Sequence, residues 1–301
     1  MILPNKVTII EVGPRDGLQN EKTFVPTEKK IEFISKLKEA RLKELEITSF
    51  VSPKWVPQMA DAKEIANQCL DENTRNFVLV PNKKGMDRLY ETNARAVAVF
   101  VGVSNTFNKK NINKSTNESL EELKPLIQEL KEREYFVRAC ISTAFYCPYE
   151  GKQKEEDTIQ LCEAFVDTGV DELSVADTIG MASPNEAYSL FQKLKERFAH
   201  ILLTAHFHDT RKMGLANILA SLQAGVDRFD CSAGGLGGCP FAPGASGNVA
   251  TEDVVYMLER MGIETGVNLE KLAEAIDVIA PIISRPIQSG YYQLYKQQSK
   301  V

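Results

Sequence analysis

Short, continuously apolar runs alternate along this chain with longer segments in which apolar residues return every three to four positions. The short runs are Val7–Val12, Leu45–Phe50, Phe77–Val80, Ala96–Val101, Phe136–Ser142, Glu172–Val175, Ile201–Phe207 and Arg228–Cys231. They are rich in Val, Ile and Phe and do not alternate cleanly with polar residues. That pattern predicts parallel strands covered on both faces. The intervening segments predict helices. Ile31, Ile34 and Leu37 mark the first, and Leu120, Leu123, Ile127 and Leu130 mark the fourth, which Pro125 is expected to kink. Thr158, Ile159, Leu161, Cys162 and Phe165 mark the fifth. Ser183 followed by Pro184 reads as the cap and first turn of the sixth.

Eight such units in about 260 residues predict an α/β fold, a (β/α)8 TIM barrel. The competing architecture, an open doubly wound sheet, usually carries a glycine-rich phosphate turn after its first strand. The first strand here runs instead into Glu11-Val12-Gly13-Pro14-Arg15-Asp16-Gly17-Leu18-Gln19-Asn20, which matches neither GxGxxG nor the P-loop. From about Glu264 to Val301 the chain reads as helices appended to the barrel. No linker rich in Gly, Ser or Pro interrupts it, so residues 1–301 are expected to form a single domain.

Composition changes this picture only by exclusion. A net charge of −5 argues against nucleic acid as a partner, and Lys83-Lys84 and Lys109-Lys110 are isolated basic pairs. No apolar run approaches the roughly 20 residues a membrane helix needs. The chain enters its first strand almost at once, which leaves no room for a targeting peptide, and its last residues are not a peroxisomal address. The six cysteines are scattered, as expected of reduced thiols in a cytosol. A soluble, cytoplasmic protein is the expectation.

In a barrel of this kind the chemistry lies at the C-terminal strand ends. His206 and His208 close the seventh strand two residues apart, on one face, and the chain has only three histidines. Polar residues arrive at matching positions elsewhere. Arg15 and Asp16 follow strand one, and Glu46, Thr48 and Ser49 lie on strand two. Cys147 and Tyr149 follow strand five, Ser174 lies on strand six, and Asp177 and Thr178 come after it. A glycine-rich stretch, Gly234–Asn248, follows strand eight and carries Cys239. Taken singly, Asp16 could serve an Asx-turn, Glu46 could pair with a neighbouring Lys or Arg, and Cys239 could simply pack. Their convergence on one barrel mouth favours a site. Two imidazoles with Asp16 and the amide oxygen of Asn248 would give two nitrogens and two oxygens. That set suits Mg²⁺ or Mn²⁺ with open positions for substrate, although zinc accepts similar donors. The glycines suit a mobile cover that closes on substrate and brings in Cys239.

The motifs EVGPRDGLQNE (11–21), EITSFVSPKWVPQM (46–59), KKNINKS (109–115), CPYEGK (147–152), DTIG (177–180), HFHDT (206–210) and AGGLGGCPFAPGASGNVATED (233–253) resemble the 3-hydroxy-3-methylglutaryl-CoA lyase family. This family belongs to a wider group of metal-dependent barrel lyases and Claisen-type synthases. The resemblance implies cleavage of an acyl-CoA to acetoacetate and acetyl-CoA, with a divalent cation, Mg²⁺ or Mn²⁺, as cofactor. It implies Asp16, His206, His208 and Asn248 as ligands, Arg15 on the thioester carbonyl and Cys239 in proton transfer. Glu46, Asp177 and Glu252 would support the site, and Gln19, Ser49, Tyr149 and Ser174 are further substrate-binding or supporting candidates. A homo-oligomer, with a dimer favoured, is expected. Arg211-Lys212-Met213 departs from the Tyr-Gly-Gln that relatives often carry after the histidines. The alternatives are a Claisen-type synthase, whose relatives show His-x-His-Asn-Asp and extra C-terminal domains, and a non-catalytic thioester-binding barrel.

Overall fold

The structure, a computed structural model, describes residues 3–238 and 247–298. Eight parallel strands among them close a barrel: β1 (Thr8–Glu11), β2 (Glu44–Ser49), β3 (Arg75–Leu79), β4 (Ala96–Gly102), β5 (Phe136–Ser142), β8 (Glu172–Asp177), β9 (Leu202–Phe207) and β10 (Arg228–Cys231). The order around the barrel follows the chain, and β1 pairs with both β2 and β10. A small antiparallel hairpin, β6 (Tyr146–Cys147) and β7 (Gly151–Lys152), stands on the loop after β5.

Each run read as a strand is a strand. The ends differ where polar residues continue the ladder: β2 begins at Glu44, β3 at Arg75, and β8 extends to Asp177. Hydrophobicity does not mark these residues, yet their backbones pair like any others, and Glu44 aligns with Arg75. The helices pack an apolar face onto the outside of the strands in one continuous core. A separate small cluster of Ile10, Val12, Phe77 and Ala96, with Phe136 against it, lies inside the barrel.

The segment Thr116–Glu132 continues as one helix through Pro125. Leu120, Leu123, Leu126, Ile127 and Leu130 are all buried, and that burial outweighs one missing backbone bond. Ser183 caps the helix Pro184–Arg197 as expected, in a capping box with Glu186. After the helix Thr251–Arg260 come two more, Leu269–Ile279 and Gly290–Gln298. The first of these begins where Asn268 N–H donates to the carbonyl of Ala40, beside the helix Thr27–Glu39. No helix among the described residues is long and apolar enough to cross a membrane. The described cysteines, Cys69, Cys140, Cys147, Cys162 and Cys231, are free thiols.

Candidate active site

β1 leads into a π-helical turn, Gly13–Gly17, in which the N–H of Gly17 reaches back to the carbonyl of Val12 (3.1 Å). Such turns are uncommon and cluster at functional sites. This one presents two successive charged side chains at the barrel mouth. Arg15 Nε and Nη2 donate to the two oxygens of Glu46 on β2, at 2.8 and 3.0 Å, and Nη1 donates to Asp16 Oδ1 at 2.7 Å. Glu46 does pair with an arginine, as its plainer alternative had it, and that arginine is one of the expected site residues. Burial works against the charge on Arg15, yet Glu46 and Asp16 outweigh it and hold the guanidinium firmly protonated. Three of its five N–H donors are committed, and the rest remain for a ligand.

Asp16 forms no Asx-turn. Its second oxygen accepts from Asn248 Nδ2 at 2.7 Å. Burial would raise the Asp16 carboxyl, but Arg15, His206 and His208 overcome it and bring it down to about 2. Asn248 is placed by backbone pairing: Val249 N–H donates to Phe207 O (3.0 Å) and Ser232 N–H to Val249 O (3.1 Å), which threads this segment between the ends of β9 and β10. Gly237 lies beside it with φ +112°, and a Cβ there would stand 2.6 Å from Asn248 Nδ2, so only glycine fits.

His206 and His208 leave β9 on the same side, with ring centroids 5.3 Å apart. Candidate ligand atoms of Asp16, His206 and His208 all lie within 4.8 Å of one another. Burial, then the neighbouring His206, depress the His208 imidazole to about 4, so it is neutral and able to bind a cation. The buried Asn248 Oδ1 and His208 Nδ1 find no hydrogen-bond partner among the described residues. Orphaned buried acceptors carry a desolvation cost that a cation would relieve. The residues present therefore fit a divalent ion.

Other expected residues have local duties. Asp177 accepts from the N–H groups of Met181 (3.0 Å) and Ala182 (2.9 Å), and burial raises it to about 6. Glu252 accepts from Ser289 and from Gly234 N–H, and burial raises it to about 8. Ser49 donates to the Leu79 carbonyl (3.3 Å), and Ser174 donates to Asp230 (2.8 Å). Gln19 is half-buried just past the turn. Tyr149 is exposed on the hairpin, with the Lys110 ammonium 4.2 Å from its ring centre. Cys239 lies outside the described residues, whereas its neighbour Gly238 is held by Asn20 Nδ2 (3.1 Å).

Two groups of functional weight escaped the sequence reading. Glu11 accepts from Gly13 N–H, Ala233 N–H and Thr251 Oγ1, tying β1 to the segment after β10, and burial raises it to about 7. Asp230 lies 3.1 Å from His206 Nδ1. For Asp230 a signal was available: Glu44-x-Glu46, Glu172-x-Ser174 and Arg228-x-Asp230 place polar residues two apart within apolar strands, the signature of a polar barrel lumen.

A closed parallel barrel whose mouth gathers two histidines, an aspartate and a carboxylate-clamped arginine defines a barrel enzyme with a cation-binding centre. The chain belongs to the HMGL-like family, whose model matches residues 6–279. This is a family of divalent-metal-dependent lyases. The chain is 47% identical to the hydroxymethylglutaryl-CoA lyase YngG of Bacillus subtilis over 98% of its own length and 99% of that protein. It is 45% identical to the mitochondrial hydroxymethylglutaryl-CoA lyase of Homo sapiens, over 97% of this chain and 90% of that one. Among solved structures it resembles the Bacillus subtilis HMG-CoA lyase with a TM-score of 0.95, 47% identity and coverage of 98% and 100%. An HMG-CoA lyase of Acinetobacter baumannii, solved with coenzyme A and 3-methylmalate, matches with a TM-score of 0.91 at 35% identity, covering 97% of this chain and 96% of that one.

Proposed function

We propose that this protein is a cytoplasmic enzyme that cleaves 3-hydroxy-3-methylglutaryl-CoA to acetoacetate and acetyl-CoA, as one catalytic domain with a helical extension from about residue 264. The observation that carries this reading is Arg15, locked by Glu46 and Asp16 beside the Asp16–His206–His208 cluster at the mouth of the barrel. The near full-length identity to lyases of this name supports the choice of substrate.

Asp16, His206, His208 and Asn248 would hold Mg²⁺ or Mn²⁺. Bound there, such an ion lowers the pKa of a substrate hydroxyl, which is otherwise a very weak acid. In the reaction the proton of the tertiary O–H passes to a basic side chain at the mouth, Asp16 or His206, the oxygen becomes a ketone, and the adjoining C–C bond breaks toward the thioester. The electron pair arrives on the thioester as an enolate. Arg15 meets that oxyanion with its uncommitted N–H donors, and the Glu46 clamp keeps the guanidinium plane from turning away. The enolate carbon then takes a proton from Cys239 or from a histidine, giving acetyl-CoA.

The test is to incubate metal-loaded protein with 3-hydroxy-3-methylglutaryl-CoA and assay acetoacetate. Excess EDTA should abolish turnover and Mg²⁺ or Mn²⁺ should restore it. Turnover that survives chelation, or no acetoacetate at all, overturns the reading. A Claisen-type synthase would instead consume acetyl-CoA and a keto acid.

A further inference from the structure

Branched aliphatic side chains in layers usually fill the lumen of this fold. Here a chain of ions occupies much of it. Arg75 Nη1 donates to Glu44 (3.1 Å), Arg228 Nη2 to Glu44 (2.6 Å) and to Glu172 (3.1 Å). Arg138 Nε lies 3.3 Å from Glu172, and its Nη2 donates to both oxygens of Asp230. Arg138 and Asp230 are buried, so neither charge can turn to water. Asp230 Oδ2 also accepts from Ser174 Oγ (2.8 Å) and lies 3.1 Å from His206 Nδ1. The chain of ions thus ends on one of the two histidines at the mouth.

An ionised carboxylate only accepts hydrogen bonds. Its contact with His206 therefore requires the ring proton to sit on Nδ1, and the neutral ring then carries its lone pair on Nε2. Nε2 is then the nitrogen left to bind a cation together with Asp16 and His208. His208 has no such anchor: its Nδ1 is unpartnered among the described residues. We propose that Asp230, held by Arg138 and Ser174, is a positioning residue that fixes the His206 tautomer and aims its Nε2 lone pair at the divalent cation. The proposal rests on the cation site described above and is independent of the substrate.

Asp230→Asn probes the contact. With Arg138 against both oxygens, either orientation of the amide turns an NH₂ toward the guanidinium, so Asn cannot reproduce the carboxylate. The Kd for Mn²⁺, measured calorimetrically on protein shown to be folded by circular dichroism, should rise about 10- to 100-fold, the usual effect of losing a partner behind a ligand. The second measurement reads the wild-type protein and uses variants only to assign its signals. Long-range ¹H–¹⁵N spectra of the metal-free wild-type protein at about pH 8.5, where an ordinary imidazole is neutral, report the tautomer of each ring. The three histidines are assigned with His200→Gln and His208→Gln. His206 should carry its proton on Nδ1. A neutral ring with its proton on Nε2 overturns the proposal. So does a folded Asp230→Asn protein that melts lower but binds Mn²⁺ as the wild type does, because Asp230 would then serve folding alone. If Asp230→Asn does not fold, the wild-type spectrum decides. Neither readout uses an acyl-CoA, so a failure here is separate from a failed acetoacetate assay.

Discussion

Arg15 is clamped so that what it loses on substitution is readable. Three of its bonds go to Glu46 and Asp16, and none of these depends on a substrate. Arg15→Met should lower kcat by about 10²–10³-fold, the range for losing one oxyanion donor. Mn²⁺ affinity should change little, because Asp16 keeps its contact with Asn248. Steady-state kinetics with parallel calorimetry checks this, and a rise confined to KM would reduce Arg15 to a substrate grip. The histidines separate by position. His206→Ala and His208→Ala should each weaken Mn²⁺ binding, whereas His200→Ala should leave it at the wild-type value. His200 is exposed and precedes β9, at the opposite end of the barrel. Equal losses in all three would contradict a site built at the strand ends.

At the scale of single elements, the strands obey their hydrophobic pattern and the helices tolerate local faults. The helix Thr116–Glu132 carries Pro125 on its exposed side, where the ring packs against little and the N–H is missing. Replacing it by Ala restores a backbone bond and removes the ring's clash with the preceding turn. Pro125→Ala should raise unfolding free energy by about 1–3 kcal/mol, below the full proline penalty because the unfolded chain also gains freedom. Urea midpoints at constant m-value measure it. A lower midpoint would mean that the restriction proline places on the unfolded chain outweighs the lost bond. The chain from Gly247 onward is fixed differently, by tertiary pairing. Gly247–Ala250 takes its place from Phe207, Asp209 and Ser232, through bonds such as Asp209 N–H to Gly247 O at 3.0 Å.

For the molecule as a whole, buried carboxyl groups around the mouth make stability depend on pH. Burial raises Glu252 to about 8 and Glu11 to about 7, against 4.5 for an exposed glutamate. Between these limits the folded protein keeps protons on these two groups that the unfolded chain has released, so their contribution to stability falls as pH rises from about 4.5 to about 8, while His208, lowered to about 4, opposes it below about 6.5. Asp16, held at about 2, is ionised in both states across that window and does not contribute to the slope. Glu252→Gln removes the group raised furthest among Glu11, Asp177 and Glu252. Urea unfolding at about pH 5 and about pH 8.5 should show the variant gaining on the wild type as pH rises. An advantage that shrinks with pH would reverse the assignment.

The barrel was legible because eight apolar runs and the helices between them each satisfy a local rule, and one closed arrangement buries all of them. His206, His208, Arg15, Asp16 and Glu46 were legible as well, because strand ends in such a barrel must converge on one mouth. Tertiary structure alone decided the pairings. No local pattern tells that Arg15 takes Glu46 across 31 positions, or that Asn248 returns to Asp16 across 232. The pairing of the lumen ions was hidden for the same reason: Arg138 and Asp230 stand 92 residues apart, and each alone reads as an unfavourable buried charge. Hydrophobic patterning dictates which face of a strand is covered. Which charge meets which inside the barrel depends on register and closure, and those exist only in the folded chain.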